Sequence, residues 1–289
     1  MTLASPSERP TPLPFLGLLR VEGPDAASFL QGQLTHDLRL LEDDRTLLAA
    51  CCSPQGRVIA LPRLRRQGEA VYALLPAELV EPLAARLRRF VLRSRLRLSA
   101  ADELAAVAVG AGDGSPVAGD GLWFDYARDR RVLALPRERL ADVAAPLPTG
   151  SAAAETEQSW CLQDIANGLP QVHAASAEAF VPQMLNLDLL DAISFTKGCY
   201  TGQEIVARTQ HLGRIKRRLF RYRLDGGPPP AALAGLHRDG AKVAEVLVSA
   251  ASGGTVELLA VTSLEARDQP LELADGRRAV PLPMAYEVP

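Results

Sequence analysis

The sequence is poor in cysteine and carries almost no net charge. Its 289 residues include only four cysteines, which are Cys51, Cys52, Cys161 and Cys199. Four are too few for a disulfide framework, and because none has the C-x-x-C spacing, no metal site is predicted. The net charge of −2 gives the whole chain no strong attraction for polyanions.

Long apolar runs are also missing. No stretch approaches the roughly 20 consecutive apolar residues with which a helix crosses a membrane. Residues 1–14 contain four prolines and lack the apolar core of a signal peptide. We therefore expect a cytoplasmic protein in which residues 1–14 form a disordered tail.

The apolar residues that are present recur with the periods of strands and helices. Up to residue 140, this pattern predicts strands at 16–21, 47–52, 57–61, 71–75, 92–98, 106–109 and 131–135. A turn at 53–56 makes a hairpin of the second and third of these strands. Helices are predicted after Pro24 and Pro76, because proline suits the first helical position.

The second half of the chain begins with a predicted linker at 144–154, which is rich in small residues and proline. After residue 213 the pattern predicts strands at 220–224, 244–248, 256–261 and 271–273. This order of elements predicts an α+β fold with antiparallel sheets and an all-β module at the C-terminus.

One short segment contains the residues best suited to chemistry. Thr201 and Glu204 have the spacing of a capping box, so a helix is predicted to begin there. Cys199 then lies just ahead of a helix N-terminus and two residues from Lys197, and both neighbours favour a thiolate. A thiolate can act as a nucleophile, a redox centre or a metal ligand. The alternative is a buried structural cysteine, and the spacing alone leaves both open.

A nucleophile–base dyad of Cys199 and His211 is not expected. The two residues bracket the predicted helix, and about 10 residues at a rise of about 1.5 Å place them about 15 Å apart. Such a dyad needs hydrogen-bond contact. The adjacent Cys51 and Cys52 lie on an apolar strand and are interpreted as core residues.

Two arginine-rich runs suggest nucleic acid as a partner. Residues 86–97 contain six arginines, and residues 214–223 contain five arginines and a lysine. RNA binding also needs aromatic side chains for stacking, and aromatic residues make up only 5% of the chain. Solvated faces of a helix and of strands explain both runs, so direct nucleic-acid binding is not expected, although a basic rim could bind the anionic tail of a folate.

Four segments carry a resemblance to a known family. They are Gln31-Gly32-Gln33-Leu34-Thr35-His36-Asp37, Ser53-Pro54-Gln55-Gly56-Arg57, Ala179-Phe180-Val181-Pro182-Gln183-Met184-Leu185-Asn186-Leu187 and Lys197-Gly198-Cys199-Tyr200-Thr201-Gly202-Gln203-Glu204-Ile205-Val206-Ala207-Arg208. In this order they resemble motifs of the YgfZ proteins, which are relatives of the glycine-cleavage T-protein. The cysteine segment is the most specific of the four.

The resemblance implies a three-domain, ring-like fold. A discontinuous folate-binding domain of 15–48 and 150–212 would surround an inserted α+β domain of 49–149, and 213–289 would form a C-terminal β-barrel. The implied cofactor is tetrahydrofolate, with an iron–sulfur cluster bound only transiently if at all. The implied partners are iron–sulfur enzymes, including radical enzymes that modify tRNA.

The resemblance also assigns roles to residues. The chain would be an accessory factor with little or no turnover of its own, in the assembly or repair of its partner enzymes. Cys199 and Lys197 would be its working residues. The folate-binding residues would be Gly198, Tyr200, Gly202, Gln203, Glu204, Asp37 and Arg208.

The chain departs from the T-protein at two places. The T-protein has an Asn-rich turn and a catalytic aspartate after the strand at 71–75, and Leu74-Leu75-Pro76-Ala77-Glu78 has neither. Its pterin-holding glutamate precedes a Gly-Leu pair, whereas Ile165-Ala166-Asn167 precedes Gly168-Leu169 and the nearest acid is Asp164. A tetrahydrofolate-dependent aminomethyltransferase is therefore the alternative function, and an RNA-binding module is the second alternative.

Overall fold

The structure, a computed structural model, describes residues 10–110 and 121–289. Its strands are β1 (Thr11–Pro12), β2 (Leu16–Glu22), β3 (Leu47–Leu48), β4 (Cys51–Cys52), β5 (Val58–Ala60), β6 (Arg63–Gln67), β7 (Ala70–Pro76), β8 (Arg97–Ala100), β9 (Leu104–Gly110), β10 (Leu122–Ala127), β11 (Arg130–Pro136), β12 (Arg217–Asp225), β13 (Gly235–Arg238), β14 (Ala241–Ser252), β15 (Thr255–Ser263), β16 (Leu271–Leu273) and β17 (Arg278–Leu282).

Helices are fewer than strands. The α-helices are α1 (Ala26–Gln31), α2 (Ala77–Arg88), α3 (Leu140–Val143), α4 (Ser151–Ala166) and α5 (Gln203–His211). Short 3-10 helices lie at Leu38–Leu40, Arg137–Arg139, Ala174–Ser176 and Pro182–Leu185. None of the helices in the described residues is long and apolar enough to cross a membrane.

The chain folds into two compact units. Unit 1 consists of Met1–Gln33, Asp37–Ala49 and Pro62–Thr156, as far as these residues are described. Unit 2 consists of Leu34–His36, Ala50–Leu61 and Glu157–Pro289. Both units are discontinuous in sequence, and the division into three domains stays a prediction.

Unit 1 contains two antiparallel sheets. One has the strand order β3-β6-β7-β2-β8 and the other β1-β9-β11-β10. Every residue of β7 is buried, as expected for a central strand with a nearly continuous apolar sequence. Helix α2 buries Leu79, Val80, Leu83, Ala84 and Leu87, whose spacing places them on one helical face.

Unit 2 contains the β4–β5 hairpin and a closed barrel. The barrel has the strand order β12-β15-β14-β13-β16-β17 with every pair antiparallel. Its core includes Tyr222, Leu224, Leu236, Val246 and Leu258. Alternate residues of each strand face this core, because side chains of a strand point to opposite faces in turn.

The predicted fold class is confirmed: the chain is α+β with antiparallel sheets and a C-terminal β-barrel. The predicted hairpin is also present, since Cys51 pairs with Ala60 and Cys52 with Val58. The predicted strand at 47–52 is two separate strands, because β3 pairs with β6 whereas β4 pairs with β5.

Three other predictions are wrong in part. Residues 1–9 of the predicted tail lie outside the described residues, but Thr11 and Pro12 pair with β9 and Leu13 is buried. The predicted linker at 144–154 overlaps α4, which begins at Ser151 and continues with three alanines, the best helix formers. The predicted strand at 92–98 begins only at residue 97, since the alternating leucines before it include Leu92, which faces solvent.

Candidate functional site

The segment that contains Cys199 ends in a tight turn before α5. The N–H of Gln203 donates to the carbonyl of Tyr200 over 3.1 Å, and the N–H of Tyr200 donates to Oε1 of Gln203 over 3.3 Å. Gly202 has φ 84° and ψ 0°, the values that a type II turn requires at its third residue. Glycine reaches this conformation without steric cost. Gly202 and Gln203 thus fix how the chain enters the helix.

The start of α5 differs from the predicted capping box, which is wrong. Gly202 rather than Thr201 occupies the N-cap position, and among the described residues no side chain caps the helix. Glu204 lies in the first helical turn and forms an exposed ion pair with Arg208, whose Nη2 is 3.1 Å from its Oε1. A threonine cap would need extended backbone at residue 201, and the type II turn takes its place.

Gly202 packs directly against the turn of the β4–β5 hairpin. A Cβ atom at Gly202 would clash with the carbonyl oxygen of Ser53 and lie 3.1 Å from the Cα of Gly56. A Cβ atom at Gly56 would lie 2.8 Å from the Cβ of Ile205. The two turns therefore meet at two glycines, with no room between them for a side chain.

The same hairpin is hydrogen-bonded to the segment around Phe180. The N–H of Val58 donates to the carbonyl of Phe180, and the N–H of Glu178 donates to the carbonyl of Val58, each over 2.8 Å. Nη1 of Arg57 donates to the carbonyl of Ala179. Three of the four sequence motifs therefore meet within unit 2, with the hairpin between the other two.

Lys197 connects the cysteine segment to residues 34–36. Its side chain is buried, and Nζ donates to the carbonyls of Leu34 over 2.7 Å and His36 over 2.8 Å. Nζ also lies 5.1 Å from the ring centre of Tyr200, close enough for a cation–π interaction. Burial raises the pKa of the Tyr200 hydroxyl well above its usual value. The ammonium group of Lys197 is thus held in place two residues before Cys199.

The four cysteines have different surroundings. Cys51 and Cys52 are buried, Cys161 is half-buried and Cys199 is exposed. The alternative of Cys199 as a buried structural residue is therefore wrong. Burial, followed by the nearby Asp164 and Glu157, raises the pKa of the Cys161 thiol to about 12. Cys199 is therefore the most exposed of the four cysteines.

His211 lies at the end of α5 that is farther from Cys199 in the sequence. It is the last residue of α5, and its ring meets the ring of Phe195 edge-on at 5.7 Å. Among the residues that the structure describes, no group of three or more histidine, cysteine, aspartate or glutamate side chains could hold a metal ion.

Asp37 belongs to unit 1, unlike the other predicted site residues. Its carboxylate accepts hydrogen bonds from Nε and Nη2 of Arg39 and from Nε2 of Gln31. The Arg39 guanidinium is the main reason that the pKa of Asp37 lies well below its usual range. Asp37 is thus already engaged by side chains of its own unit.

Sequence reasoning did not single out Gln171. This residue is buried, and its Oε1 has no hydrogen-bond partner within residues 10–110 and 121–289. It follows the Gly168-Leu169 pair, and the carbonyl of Gly168 accepts a hydrogen bond from Tyr286 over 2.8 Å. The available signal in the sequence was the position of Gln171, which lies two residues after the Gly-Leu pair where the chain departs from the T-protein.

Two curated relatives are similar to the chain over most of its length. The tRNA-modifying protein YgfZ of Escherichia coli is 32% identical over 222 residues, which cover 70% of this chain and 68% of that protein. The protein of the same name from Hamiltonella defensa is 31% identical over 224 residues, covering 71% of this chain and 66% of that protein. No protein-family model matches the chain.

A solved structure has the same fold. The aminomethyltransferase T of the glycine cleavage system from Bartonella henselae superposes with a TM-score of 0.70, covering 94% of this chain and 84% of that one. At 17% identity, this likeness shows the fold alone. The two sequence relatives show more than the fold. Their alignments cover 71% and 70% of this chain, and about a third of the aligned residues are identical. The chain therefore belongs to the YgfZ family.

Proposed function

We propose that the chain is a tetrahydrofolate-binding accessory factor for the assembly or repair of iron–sulfur enzymes, working through Cys199. Its partners would include radical enzymes that modify tRNA, in keeping with the name of its curated relatives. The observation that carries the proposal is the exposed Cys199 on a segment that buried contacts hold in place. An exposed thiol on a fixed loop is suited to act on a partner protein.

The two residues before Cys199 have separate tasks in this proposal. Lys197 is a positioning residue, because its ammonium group is used on the carbonyls of Leu34 and His36. Gly198 is exposed, and a Cβ atom there would meet no atom of the described residues within 4 Å. Its lack of a side chain is therefore not needed by the fold and would serve the close approach of a partner to the neighbouring thiol.

Cys199 would share a cluster with its partner rather than hold one. Iron–sulfur clusters usually need four protein ligands, whereas the other three cysteines are buried or half-buried. A single exposed thiolate can still occupy one iron position while an enzyme supplies the rest. The cluster would be cargo that passes through the site.

A folate fits one buried polar atom of unit 2. Oε1 of Gln171 is a hydrogen-bond acceptor that has no partner among the described residues, and a pterin ring offers N–H donors. Gln171 would orient the ring, and Asp164, which is also buried, is the acidic residue nearest in sequence to the Gly168-Leu169 pair. Tetrahydrofolate supplies a carrier for one-carbon units when it is bound. The proposal also includes contacts with the folate from seven further residues, which are Gly198, Tyr200, Gly202, Gln203, Glu204, Arg208 and Asp37.

The role of Cys199 is tested by complementation. In a bacterial strain that lacks its own family member, the unaltered chain should restore tRNA methylthiolation and Cys199→Ser should not. Cys161→Ser is the matched control and should restore it. Gly198→Ala should fold normally and still complement poorly, because the added methyl group would obstruct the close approach of a partner to Cys199. Full complementation by Cys199→Ser would overturn the proposal.

Folate binding is tested by calorimetry with tetrahydrofolate. We expect micromolar affinity for the unaltered chain. Gln171→Leu should lower the affinity at least tenfold, because the variant lacks the buried acceptor that would pair with an N–H group of the pterin ring. Gln210→Leu, at an exposed position, is the control and should bind like the unaltered chain. If the unaltered chain gives no heat at saturating folate, the cofactor assignment is wrong while the role of Cys199 stands.

A further inference from the structure

The two arginine-rich runs of the sequence differ in how many of their side chains form ion pairs in the structure. In β12, Arg218 forms a bidentate ion pair with Asp188, and both side chains are about 5% exposed. Arg221 pairs with Glu257 over 2.6 Å. Arg217 and Arg223 likewise lie 3.6 Å from Glu245 and Asp225, respectively. Carboxylates from the barrel and from Asp188, which precedes it in unit 2, therefore neutralise most of the charge of this run.

The other run, residues 86–97, is called the basic segment here. Its Arg88 pairs with Glu81 and its Arg95 with Asp25. The guanidinium groups of Arg89, Arg93 and Arg97 are exposed and make no hydrogen bond or ion pair with any residue that the structure describes. The basic segment therefore keeps a surplus of positive charge on the surface of unit 1.

The basic segment is held in a defined position. The N–H of Arg95 donates to Oδ2 of Asp25 over 2.6 Å. Gly23, with φ 132°, lies so close that a Cβ atom there would clash with the Arg95 carbonyl oxygen and lie 2.9 Å from the Cα of Leu96. Nη2 of Arg88 donates to the carbonyl of Leu98. The free guanidinium groups of Arg89, Arg93 and Arg97 thus project from the end of α2, the loop after it and the first residue of β8, and these contacts fix the segment in place.

Apolar side chains lie among these charges. Leu92 is 87% exposed and Phe90 is 39% exposed. The guanidinium of Arg86 lies 5.9 Å from the centre of the Phe90 ring. An exposed aromatic ring beside arginines is the combination on which unpaired RNA bases stack while phosphates meet guanidinium groups.

The geometry points to the basic segment as a docking surface for RNA with unpaired bases. All six of its cations are arginines, whose planar fork binds phosphate in a bidentate manner. The dipole of α2 explains basic residues at its last turn, but its effect falls off beyond that turn and does not reach Arg93 or Arg97. Within residues 86–97 only Phe90 and Leu92 are large exposed apolar side chains, too few for the apolar face of a membrane-surface helix.

This inference goes beyond the proposed function, in which a partner enzyme handles the RNA. The full chain would touch the RNA through unit 1, while Cys199 belongs to unit 2. The two ideas therefore fail separately: loss of RNA binding leaves the thiol chemistry of Cys199 intact, and Cys199→Ser leaves RNA binding intact.

The test measures binding of an unmodified tRNA transcript to the full chain across a range of salt concentrations. The triple variant Arg89→Gln, Arg93→Gln, Arg97→Gln should bind at least tenfold more weakly, and the log–log salt slope should fall by about 2. A control variant, Arg45→Gln, Arg128→Gln, Arg278→Gln, loses the same charge at exposed sites elsewhere and should lose less than threefold. Phe90→Leu should weaken binding to the tRNA more than binding to fully paired RNA.

Two results would overturn the inference. One is equal weakening by the triple variant and the charge-matched control, because binding would then follow net charge alone. The other is tRNA binding unaltered in the triple variant while its binding to phosphatidylglycerol vesicles is lost, which would make the surface a membrane contact. Thermal unfolding of each variant shows that the fold is intact.

Discussion

Arg218 and Arg221 lie in ion pairs on a barrel strand, whereas Arg89 and Arg93 project into solvent from the end of a helix and the loop after it. The sequence around each pair is equally basic. What differs is the supply of carboxylates from distant parts of the chain, such as Asp188 and Glu257. A run of one charge therefore says nothing about whether that charge is already used, and the cost of removing a cation should follow its surroundings.

The largest effect is expected from Arg218→Met. It leaves the buried Asp188 carboxylate without its cation and removes hydrogen bonds to Gln183 and Asn186, so the free energy of unfolding should fall by about 3–5 kcal/mol. Urea unfolding measures this. The double variant Arg218→Met, Asp188→Leu should regain much of the loss. A cost below about 1 kcal/mol for the single variant would remove the contrast between the two runs.

The next largest loss in the free energy of unfolding is expected from Lys197→Met. It deprives two backbone carbonyls of a buried charged donor, and such hydrogen bonds contribute about 1.5–3 kcal/mol. We therefore expect a loss of about 2 kcal/mol in the free energy of unfolding. Lys216→Met, at an exposed position, is the control and should change little. Equal effects of the two substitutions would show that Lys197 does not hold the cysteine segment.

Arg221→Met should cause an intermediate loss in the free energy of unfolding. Its ion pair with Glu257 is about one fifth exposed on both sides, so solvent screens part of the attraction, and a loss of about 1 kcal/mol is expected in urea unfolding. Arg223→Met removes the more exposed partner of Asp225 and should cost less than about 0.5 kcal/mol. A reversed order of these two variants would contradict the dependence on burial.

The smallest effect on stability is expected from Cys199→Ser, below about 0.5 kcal/mol, because an exposed loop residue carries little packing. The same exposure should make Cys199 the first cysteine to react with iodoacetamide at neutral pH, as mass spectrometry would show. Cys161 should react slowly, since burial raises its pKa to about 12 and leaves little thiolate. Labelling of Cys199 only after denaturation would place it in the core after all.

Much of the fold could be predicted because its signals are local. The strand at 71–75 is found as Ala70–Pro76 and the strand at 271–273 as Leu271–Leu273, since their apolar patterns and flanking turns lie within a few residues. The edge strand Thr11–Pro12 had no such signal. It forms because Leu13 is buried and the strand pairs with residues almost a hundred positions away.

The candidate site shows the same division. Local spacing indicated a helix after Cys199, and α5 is present. The choice between a threonine cap and a type II turn was not local, because Gly202 packs on Ser53 and Gly56 from another motif. For the same reason the unpaired acceptor of Gln171 could not be recognised before its surroundings were known.

By itself, the sequence determined the α+β class, the periodicity of its strands and helices, and the motifs around Cys199, because each depends on residues close together in the chain. Only the tertiary structure decided which arginines are neutralised, which cysteine is exposed and where the Lys197 ammonium group is held. These properties depend on contacts such as that of Lys197 with Leu34, 163 residues apart. Burial and charge pairing are set by neighbours in space, and a linear pattern does not contain them.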